Sequence, residues 1–288
     1  MEAITQYFVS GIFQGSVYAL IAVGMVVIFK ATRVFNFAQG HLLMVGVLLT
    51  FVFINKFGIW ISIPLALACA IVLGYLIERL TLRPLIGQSI VSALMMTLAL
   101  AYLLDGIATI FWGSKIYRYP HWFPSQSFPF GPIKVSSAVV WSVLISAVVL
   151  VALALFYSLS RMGKKTRATA EDHQVSQSLG IKVKRIFSLC WMMSTVIAFI
   201  MAFFFGVHVG AFRYLSDWGW KAIPVVLVGG LDSVRGAVIG GLLVGTLEVI
   251  ATAYLGAAIG NIFPFIILLL VIIVKPHGLF GQVEIGRV

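Results

Sequence analysis

Long apolar runs separated by short polar breaks make up most of the chain. An α-helix rises 1.5 Å per residue, so about 20 apolar residues cross the hydrocarbon core of a bilayer. Eight runs approach or exceed this length, allowing for tilt, and a ninth is much shorter. The pattern predicts an all-α polytopic membrane protein with about eight transmembrane helices plus a short broken or re-entrant segment. The long runs cover about 7–29, 41–54, 59–77, 89–112, 135–159, 187–210, 237–254 and 262–274, and the short one covers 222–228.

Composition supports this class. Hydrophobic residues make up 61% of the chain, charged residues only 10%, and the mean hydropathy is +1.08. A soluble domain of this length needs more charge to cover its surface, so residues 1–288 are expected to form a single transmembrane domain. The net charge of +11 lies mainly in the loops, which does not indicate nucleic-acid binding. Two cysteines inside apolar runs and five scattered histidines predict neither a disulfide framework nor a metal site.

The most polar stretch is the basic segment at 161–185, which lies between two long apolar runs. It contains seven Lys or Arg residues against one Glu and one Asp, and this bias predicts a cytoplasmic location. Two explanations remain open from charge alone. The segment is either a docking surface for a soluble partner or a connecting loop whose charge fixes the topology.

Loop charge also predicts the orientation of the chain. If the basic segment is inside, alternation places thirteen basic residues inside and six outside, with Arg235 unassigned. The N-terminus is then outside and the C-terminus inside, which requires an odd number of crossings. The short run at 222–228 therefore either crosses as a thin helix or dips in and returns. A broken or re-entrant element is favoured, because the glycines at 229, 230 and 236 surround polar residues.

Two polar, glycine-containing breaks are candidates for lining a translocation path. Unwound backbone at membrane depth is tolerated only where protein or a water-filled cavity covers it, and one such break in each half is a pointer to a transport site. The alternative is that both breaks are turns outside the membrane. The candidate residues are Asn36, Gln39, Gly40 and His41 in the first break, and Gly229, Gly230, Ser233 and Gly236 in the second.

Asp105 and Glu248 are the only acids well inside apolar runs. Charged residues within a membrane are functional candidates by default, so both are possible path residues. Asp105 lies near the outer end of its run and is within reach of water. Glu248 is expected to pair with Arg235 or with a neighbouring subunit.

The residues in these breaks also carry a resemblance to a known family. The segment Asn36-Phe-Ala-Gln-Gly-His41-Leu-Leu-Met is similar to the N-F-A-H-G-E-L-L-M type segment of permeases in branched-chain amino acid ABC importers. Similarity continues through Gly15-Ser-Val-Tyr-Ala-Leu in the first run, Val228-Gly-Gly-Leu-Asp-Ser, and Lys275-Pro-His-Gly-Leu-Phe. The resemblance implies a bacterial inner-membrane protein that works with a second permease, identical or related, two cytoplasmic ATPases and an exported substrate-binding protein.

The resemblance also implies a role for the basic segment, as a cytoplasmic coupling loop at 160–187 that docks on an ATPase. The chain has no phosphate-binding Gly-x-x-x-x-Gly-Lys-Ser/Thr loop, so it is expected to be no enzyme, to hold no cofactor, and to rely on ATP bound by its partners. Gly180 is expected to end a short helix in a left-handed conformation. The coupling residues implied by the resemblance are Arg167, Ala170, Glu171, Asp172, Leu179 and Gly180.

One departure from the family motif leaves the substrate open. Gln39-Gly40-His41 stands where the family usually has His-Gly-Glu, and a neutral His41 cannot supply the negative charge that would meet an ammonium group. A branched-chain amino acid, another amino acid, an amide and urea all remain candidates. An ion-coupled secondary transporter or a channel is the competing class, although such proteins commonly bury more ionisable residues. A membrane enzyme would need clustered catalytic residues, which the sequence lacks.

Overall fold

The fold is a bundle of long helices. The computed structural model describes residues 2–119, 127–130, 133–171 and 173–281. Within them, eight helices are long and apolar enough to cross a membrane, as the apolar runs predicted. The helices are α1 (Glu2–Thr32), α2 (Gln39–Phe57), α3 (Ile59–Ile77), α4 (Ile90–Trp112), α5 (Ser137–Leu159), α6 (Arg161–Glu171), α7 (His173–Ser178), α8 (Val183–Val209), α9 (Asp217–Gly229), α10 (Val234–Leu255) and α11 (Ala257–Val274).

The centre of the bundle is formed by α1 and α8. The most apolar stretches of these helices are 83% and 72% buried, against 17% for α5 and α11, which therefore lie at the periphery. Glycines allow α1 and α10 to pack closely and antiparallel. A methyl group on Gly11 would lie 2.7 Å from the Cα of Thr246, and one on Gly241 would lie 2.7 Å from the Cα of Ala19. Small residues are typical where membrane helices approach this closely.

Two ends of the bundle can be distinguished from contacts between loops. At one end, Arg33 bonds to the carbonyl of Ala170, and residue 279 bonds to Val228. The antiparallel pairing of α1 and α10 brings the start of α10 to the same end. We call this the basic end, because the segment at 161–185 belongs to it. At the opposite end, the backbones of Tyr117 and Ala211 pair, and the ring of Tyr7 contacts that of Tyr254.

The loop between α4 and α5 contains a small hairpin that the apolar runs did not predict. Strands Ser127–Phe130 and Ile133–Ser136 pair antiparallel, with Ser127 opposite Ser136. The strands are four residues long and one includes a proline, so the two-residue alternation that reveals a strand is too short to read.

The chain turns back into the bundle after α1. Arg33 adopts the left-handed conformation, with φ +56°, and α2 begins only at Gln39, against Gly24 of α1. Gly24 lies eight positions before the end of α1, ~12 Å inside the bundle at 1.5 Å per residue. The first break is therefore inside the bundle, and it is not a surface turn.

The second interruption lies between α8 and α10. After α8 ends at the opposite end, the chain passes through a 3₁₀ turn, Arg213–Ser216, and then forms α9. This helix is 13 residues long and ends at the basic end of the bundle. The prediction of a short broken element is confirmed. The chain enters it at the opposite end, at Ala211, and α9 forms only the part that reaches the basic end, so the element does not return to the end where it began.

Candidate translocation site

The two broken elements meet inside the bundle at a pair of glycines. A methyl group on Gly40, near the start of α2, would lie 2.6 Å from the Cα of Gly219 in α9, and it would be still closer to the carbonyl oxygen of Ser216. A methyl group on Gly219 would in turn overlap the backbone of Gly40. The N-terminal ends of α2 and α9 therefore touch through bare backbone, part of the way through the bundle.

A network of buried amides and hydroxyls holds the first break in shape. The Nδ2 of Asn36 donates to the Oε1 of Gln39 over 3.0 Å, and the Oδ1 of Asn36 accepts from the backbone N–H of Ala38 over 3.0 Å. The hydroxyl of Ser194 donates to the Oε1 of Gln39 over 2.8 Å. The side chains of Asn36 and Gln39 are fully buried. In this conformation Asn36 satisfies the unwound backbone at Ala38, and Gln39 ties the break to Ser194 of α8.

Thr97 of α4 supports the same break from the other side. Its hydroxyl donates to the carbonyl of Phe35 over 3.1 Å and accepts from the backbone N–H of Phe37 over 3.4 Å. Neither Thr97 nor Ser194 was selected from the sequence, because isolated hydroxyl residues are common in apolar runs and these two contact the break only in the folded chain.

A cavity of about 180 Å³ adjoins the meeting point of α2 and α9. One water needs about 10–15 Å³ on this measure, so the space admits several waters or one small solute. Its lining brings His41 of the first break together with charged and aromatic residues of α4, the 3₁₀ turn and α9. These residues are Ala101, Tyr102, Asp105, Arg213, Tyr214, Ser216, Asp217 and Trp220.

Within the described residues, the polar and charged groups of the cavity make few close hydrogen bonds or ion pairs. The Nε of Arg213 lies 3.6 Å from Asp105, which is an ion pair too long for a hydrogen bond, and its Nη1 donates to the hydroxyl of Thr109 over 2.9 Å. Asp217 is exposed and has no ion-pair partner among the described residues. His41 is 7% exposed, and its Nδ1 has no hydrogen-bond partner within that part of the chain.

The other predicted break lies elsewhere. Gly229 and Gly236 pack backbone against backbone at the basic end, where the Ser233 hydroxyl caps α10 by accepting from the N–H of Gly236 over 3.0 Å. Gly230 contacts residue 281, which follows α11. The structure therefore does not bring 229–236 to 36–41. The segment that meets the first break is the start of α9.

Within the chain, Glu248 pairs with a residue other than Arg235, the in-chain partner predicted for it. Its Oε1 lies 2.7 Å from the Nζ of Lys221 in α9, and its Oε2 accepts from the hydroxyl of Tyr18 over 2.7 Å. Lys221 also donates to Asn261 over 2.7 Å. The expected pair with Arg235 is wrong, because Arg235 lies at the start of α10 and Glu248 thirteen positions further along the same helix, ~20 Å away at 1.5 Å per residue.

A second buried acid lies at the basic end, where α3 continues as a π-helical turn, Glu78–Leu82. Glu78 is almost fully buried, and it accepts from the Nε and Nη2 of Arg83 over 3.0 and 2.7 Å. The hydroxyl of Ser188 in α8 donates to the same carboxylate over 2.6 Å. The bidentate pair with Arg83 holds the carboxylate, and Ser188 ties it to the start of α8.

The basic segment forms two short helices at the basic end. α6 folds back against the end of α5, where a methyl group on Gly163 would lie 2.8 Å from the Cα of Tyr157. Arg167 and Glu171 are exposed and Ala170 is half-buried, while Asp172 lies outside the described residues. Among the described residues, no group of three His, Cys, Asp or Glu lies close enough to hold a metal ion.

The end of α7 has the predicted cap. Gly180 has φ +79°, its N–H donates to the carbonyl of Gln177 over 2.9 Å, and the N–H of Ile181 donates to Ser176 over 3.0 Å. These two bonds are those of a Schellman motif. Leu179, at the tip of the turn, is 73% exposed. The segment thus presents an apolar side chain on a basic, solvent-facing helix end.

In the part of the chain that the structure describes, eight membrane-length helices, one shorter broken element and a polar cavity beside it define a polytopic membrane protein of the transport class. The chain belongs to the family described as "Branched-chain amino acid transport system / permease component", whose profile matches residues 7–272. No solved structure matches the chain.

Similar proteins cover nearly the whole chain. The high-affinity branched-chain amino acid transport system permease protein LivH of Escherichia coli is 30% identical, over 98% of this chain and 97% of its own length. BraD of Pseudomonas aeruginosa, which carries the same description, is 31% identical over the same shares. A probable LivH of Methanocaldococcus jannaschii is 26% identical over 94% of this chain and 90% of its own.

Proposed function

We propose that this chain is the transmembrane permease subunit of an ATP-driven importer for branched-chain or other hydrophobic amino acids, or for related small amides. The observation that carries the proposal is the meeting of two broken elements beside a polar cavity, in a chain of this permease family. Broken helices are used at transport sites because their ends offer polar backbone groups at membrane depth.

A second permease, identical or related, covers the open side of the cavity. Asp105 and Arg213 are 29% and 26% exposed in the single chain, and Asp217 is exposed. Charged groups are costly in hydrocarbon, so this side faces protein or water and not lipid. The path then lies between the two permeases, with His41 on its wall.

The basic end faces the cytoplasm of a bacterial cell and receives two ATPase subunits. Lys and Arg are concentrated at this end, as the positive-inside rule requires, which leaves the N-terminus outside. Leu179 and the ordered turn at Gly180 supply a docking point on the coupling loop. The ATPases bind and hydrolyse ATP, and this subunit holds no cofactor. A binding protein delivers substrate at the opposite end.

The test is expression with the neighbouring transport genes, purification through a tag on this chain, and reconstitution in vesicles. We expect the second permease and the ATPases to co-purify. Uptake of radiolabelled leucine should then require both ATP and the binding protein. Full-rate uptake by this subunit alone, driven by a proton or sodium gradient, would contradict the proposal and favour a secondary transporter or channel.

A further inference from the structure

A second cavity, of about 160 Å³, lies at the basic end of the bundle. The end of α1, the turn before α4, α7 and the start of α8 all contribute to its lining. Gln88 in the turn and Gln177 in α7 are exposed at its rim, so the cavity opens at the end that carries the coupling loop. We call it the basic-end cavity, and the one beside the meeting point of α2 and α9 the meeting-point cavity.

One stripe of α4 borders both cavities. Ala93 lines the basic-end cavity, whereas Ala101 and Asp105 line the meeting-point cavity. Residues four apart lie on the same face of a helix, so Thr97 lies on this stripe, ~6 Å along the helix from both Ala93 and Ala101. Whatever Thr97 contacts therefore lies between the two cavities.

The unwound residues 33–38 occupy that position. At one side Val34 lines the basic-end cavity, and at the other side His41, at the start of α2, lines the meeting-point cavity. Between them, the rings of Phe35 and Phe37 lie 4.9 Å apart, and that of Phe37 lies 6.1 Å from the ring of Trp220. Two aromatic rings thus separate the cavities.

The hydroxyl of Thr97 holds these residues against α4, and it has a second acceptor within its own helix. It lies 3.1 Å from the carbonyl oxygen of Phe35, and it accepts from the N–H of Phe37 over 3.4 Å. It also lies 2.9 Å from the carbonyl oxygen of Leu94. A hydroxyl has one proton, so the two carbonyls compete for it. When the break withdraws, the proton stays bonded to Leu94, and the buried hydroxyl is not left with an unpaired donor.

The start of the break is attached to the coupling loop. Arg33 has φ +56°, a conformation that is unfavourable for a residue with a side chain. Its Nη2 donates to the carbonyl of Ala170, at the end of α6, over 3.5 Å. A displacement of α6 therefore acts on the strained residue that begins the break.

We propose that residues 33–38 are the gate on the cytoplasmic side of the path, and that Thr97 is the positioning residue that holds this gate shut. The basic-end cavity is then the vestibule into which the substrate is released. The inference rests on the proposed function and deepens it by locating the barrier. Opening breaks the contacts of Thr97 with the break and joins the two cavities along the stripe of α4.

The test labels single cysteines on the stripe in the assembled transporter without nucleotide, with Cys69 and Cys190 replaced by alanine. Ala93→Cys places a thiol in the basic-end cavity, and Ala101→Cys places one beyond the gate. A small impermeant methanethiosulfonate reagent is added to sealed inside-out vesicles, and labelling of Gln88→Cys verifies that the basic end is exposed. We expect position 93 to react at least about tenfold faster than 101, because a closed gate admits reagent only when it opens transiently.

Thr97 is then replaced in the Ala101→Cys background. Thr97→Val removes the hydroxyl and keeps the shape of the side chain. Loss of a hydrogen bond between uncharged groups shifts an equilibrium about fivefold, so labelling at 101 should become about fivefold faster. Thr97→Ser keeps the hydroxyl and should restore the slow rate. Thr195→Val is the matched control, because Thr195 is equally buried but its hydroxyl bonds to Trp191 of its own helix, over 2.9 Å, and the rate should not change.

Equal labelling at 93 and 101 in the cysteine-free background would show that the break does not close the path. Equal effects of Thr97→Val and Thr195→Val would show that Thr97 does not hold a gate, and absence of labelling at 93 would show that the vestibule is closed to the cytoplasm. Each of these results would overturn the inference without touching the proposed function. The proposed function fails instead if the cysteine-free complex does not import leucine with ATP in reconstituted vesicles.

Discussion

Gly40 and Gly219 form the tightest point at which the two broken elements meet, because each has the backbone of the other where a side chain would be. Gly40→Ala should therefore destabilise the protein, since the clash is with backbone that cannot rotate away. Overpacking of this kind costs about 1–3 kcal/mol. We expect a lower unfolding temperature of the purified complex and slower uptake, with capture by the binding protein unchanged.

Gly106→Ala in α4 is the matched control. An added methyl group there meets no atom within 4 Å, so the substitution should be neutral or slightly stabilising, since alanine favours a helix over glycine by about 1 kcal/mol. Equal unfolding temperatures for the two variants would show that the Gly40–Gly219 contact is not a close one.

Replacing Lys221 should destabilise the protein more than replacing its ion-pair partner Glu248. Glu248 is 3% exposed and Lys221 26%, so Lys221→Met leaves a buried charge without its partner, whereas Glu248→Gln leaves a lysine that still reaches solvent and Asn261. Leaving one member of a buried pair uncompensated costs on the order of 3–5 kcal/mol. Lys221→Met should be clearly the more damaging in thermal unfolding.

The double variant Lys221→Met with Glu248→Gln should recover part of that loss, because no charge is then left buried. Lys56→Met, at an exposed lysine that makes no ion pair among the described residues, should change stability by less than about 0.5 kcal/mol. If Lys221→Met is as mild as this control, the pair with Glu248 does not stabilise the fold.

Sequence patterns identified Glu248 as a functional or paired acid, but Arg235, the partner they offered within the chain, is wrong. Arg235 is near in sequence and Lys221 is not in the same helix, so only the crossing of α9 and α10 brings the correct pair together. For the same reason Asp217 and Trp220 were not recognised as cavity residues. Their surroundings come from α2 and α4, which are distant in the chain.

At the scale of elements, apolar run length predicted the long helices well, because each must span a fixed thickness of hydrocarbon. It failed at α9, where the helix begins at Asp217, five residues before the apolar run. Trp218, Gly219 and Lys221 interrupt the apolar pattern but are compatible with a helix that packs against other helices. The glycine-rich break at 229–236, predicted to line the path, is in the structure the turn that joins α9 to α10 at the basic end.

The turn that ends α7 can be tested for a role in coupling the permease to the ATPase subunits. Gly180→Ala places a side chain in a left-handed conformation, which costs roughly 1–2 kcal/mol, and should loosen the turn that presents Leu179. We expect fewer ATPase subunits to be retained with the tagged chain and less substrate-stimulated ATP hydrolysis. Glu171→Lys, which reverses a charge on the same surface, should act in the same direction.

Gly113→Ala is the control for this element. Gly113 also has positive φ, +61°, with open space around it, but it lies at the end of α4 on the opposite side of the bundle. An alanine at 113 is strained at least as much, because positive φ with ψ −145° is a conformation that essentially only glycine adopts, while the location is different. Unchanged ATPase retention in Gly180→Ala, or an equal loss in both variants, would contradict a docking role for the turn.

At the scale of the whole molecule, the proposed orientation places the two termini on different sides of the membrane. Lys56 is exposed at the end of α2, and Gln88 is exposed in the turn before α4 at the basic end. With the native cysteines replaced, Lys56→Cys should be labelled by an impermeant thiol reagent added to cells with a permeabilised outer membrane. Gln88→Cys should be labelled only after the inner membrane is opened. The reverse pattern would invert the proposed orientation.

The segment that follows α11 forms hydrogen bonds to α9, which lies about 50 residues earlier in the chain. Leu279 and Phe280 donate their backbone N–H groups to the carbonyls of Val228 and Gly229 over 2.8 and 3.1 Å, and so satisfy the end of α9. During synthesis, α9 leaves the ribosome well before these donors exist. The shortest crossing must therefore wait, incompletely bonded, until α10 and α11 have been inserted. A chain that stops after Val274 should insert its other helices but keep α9 sensitive to protease. The docking of residues 278–281 onto the end of α9 would then be the last event in assembly of the bundle.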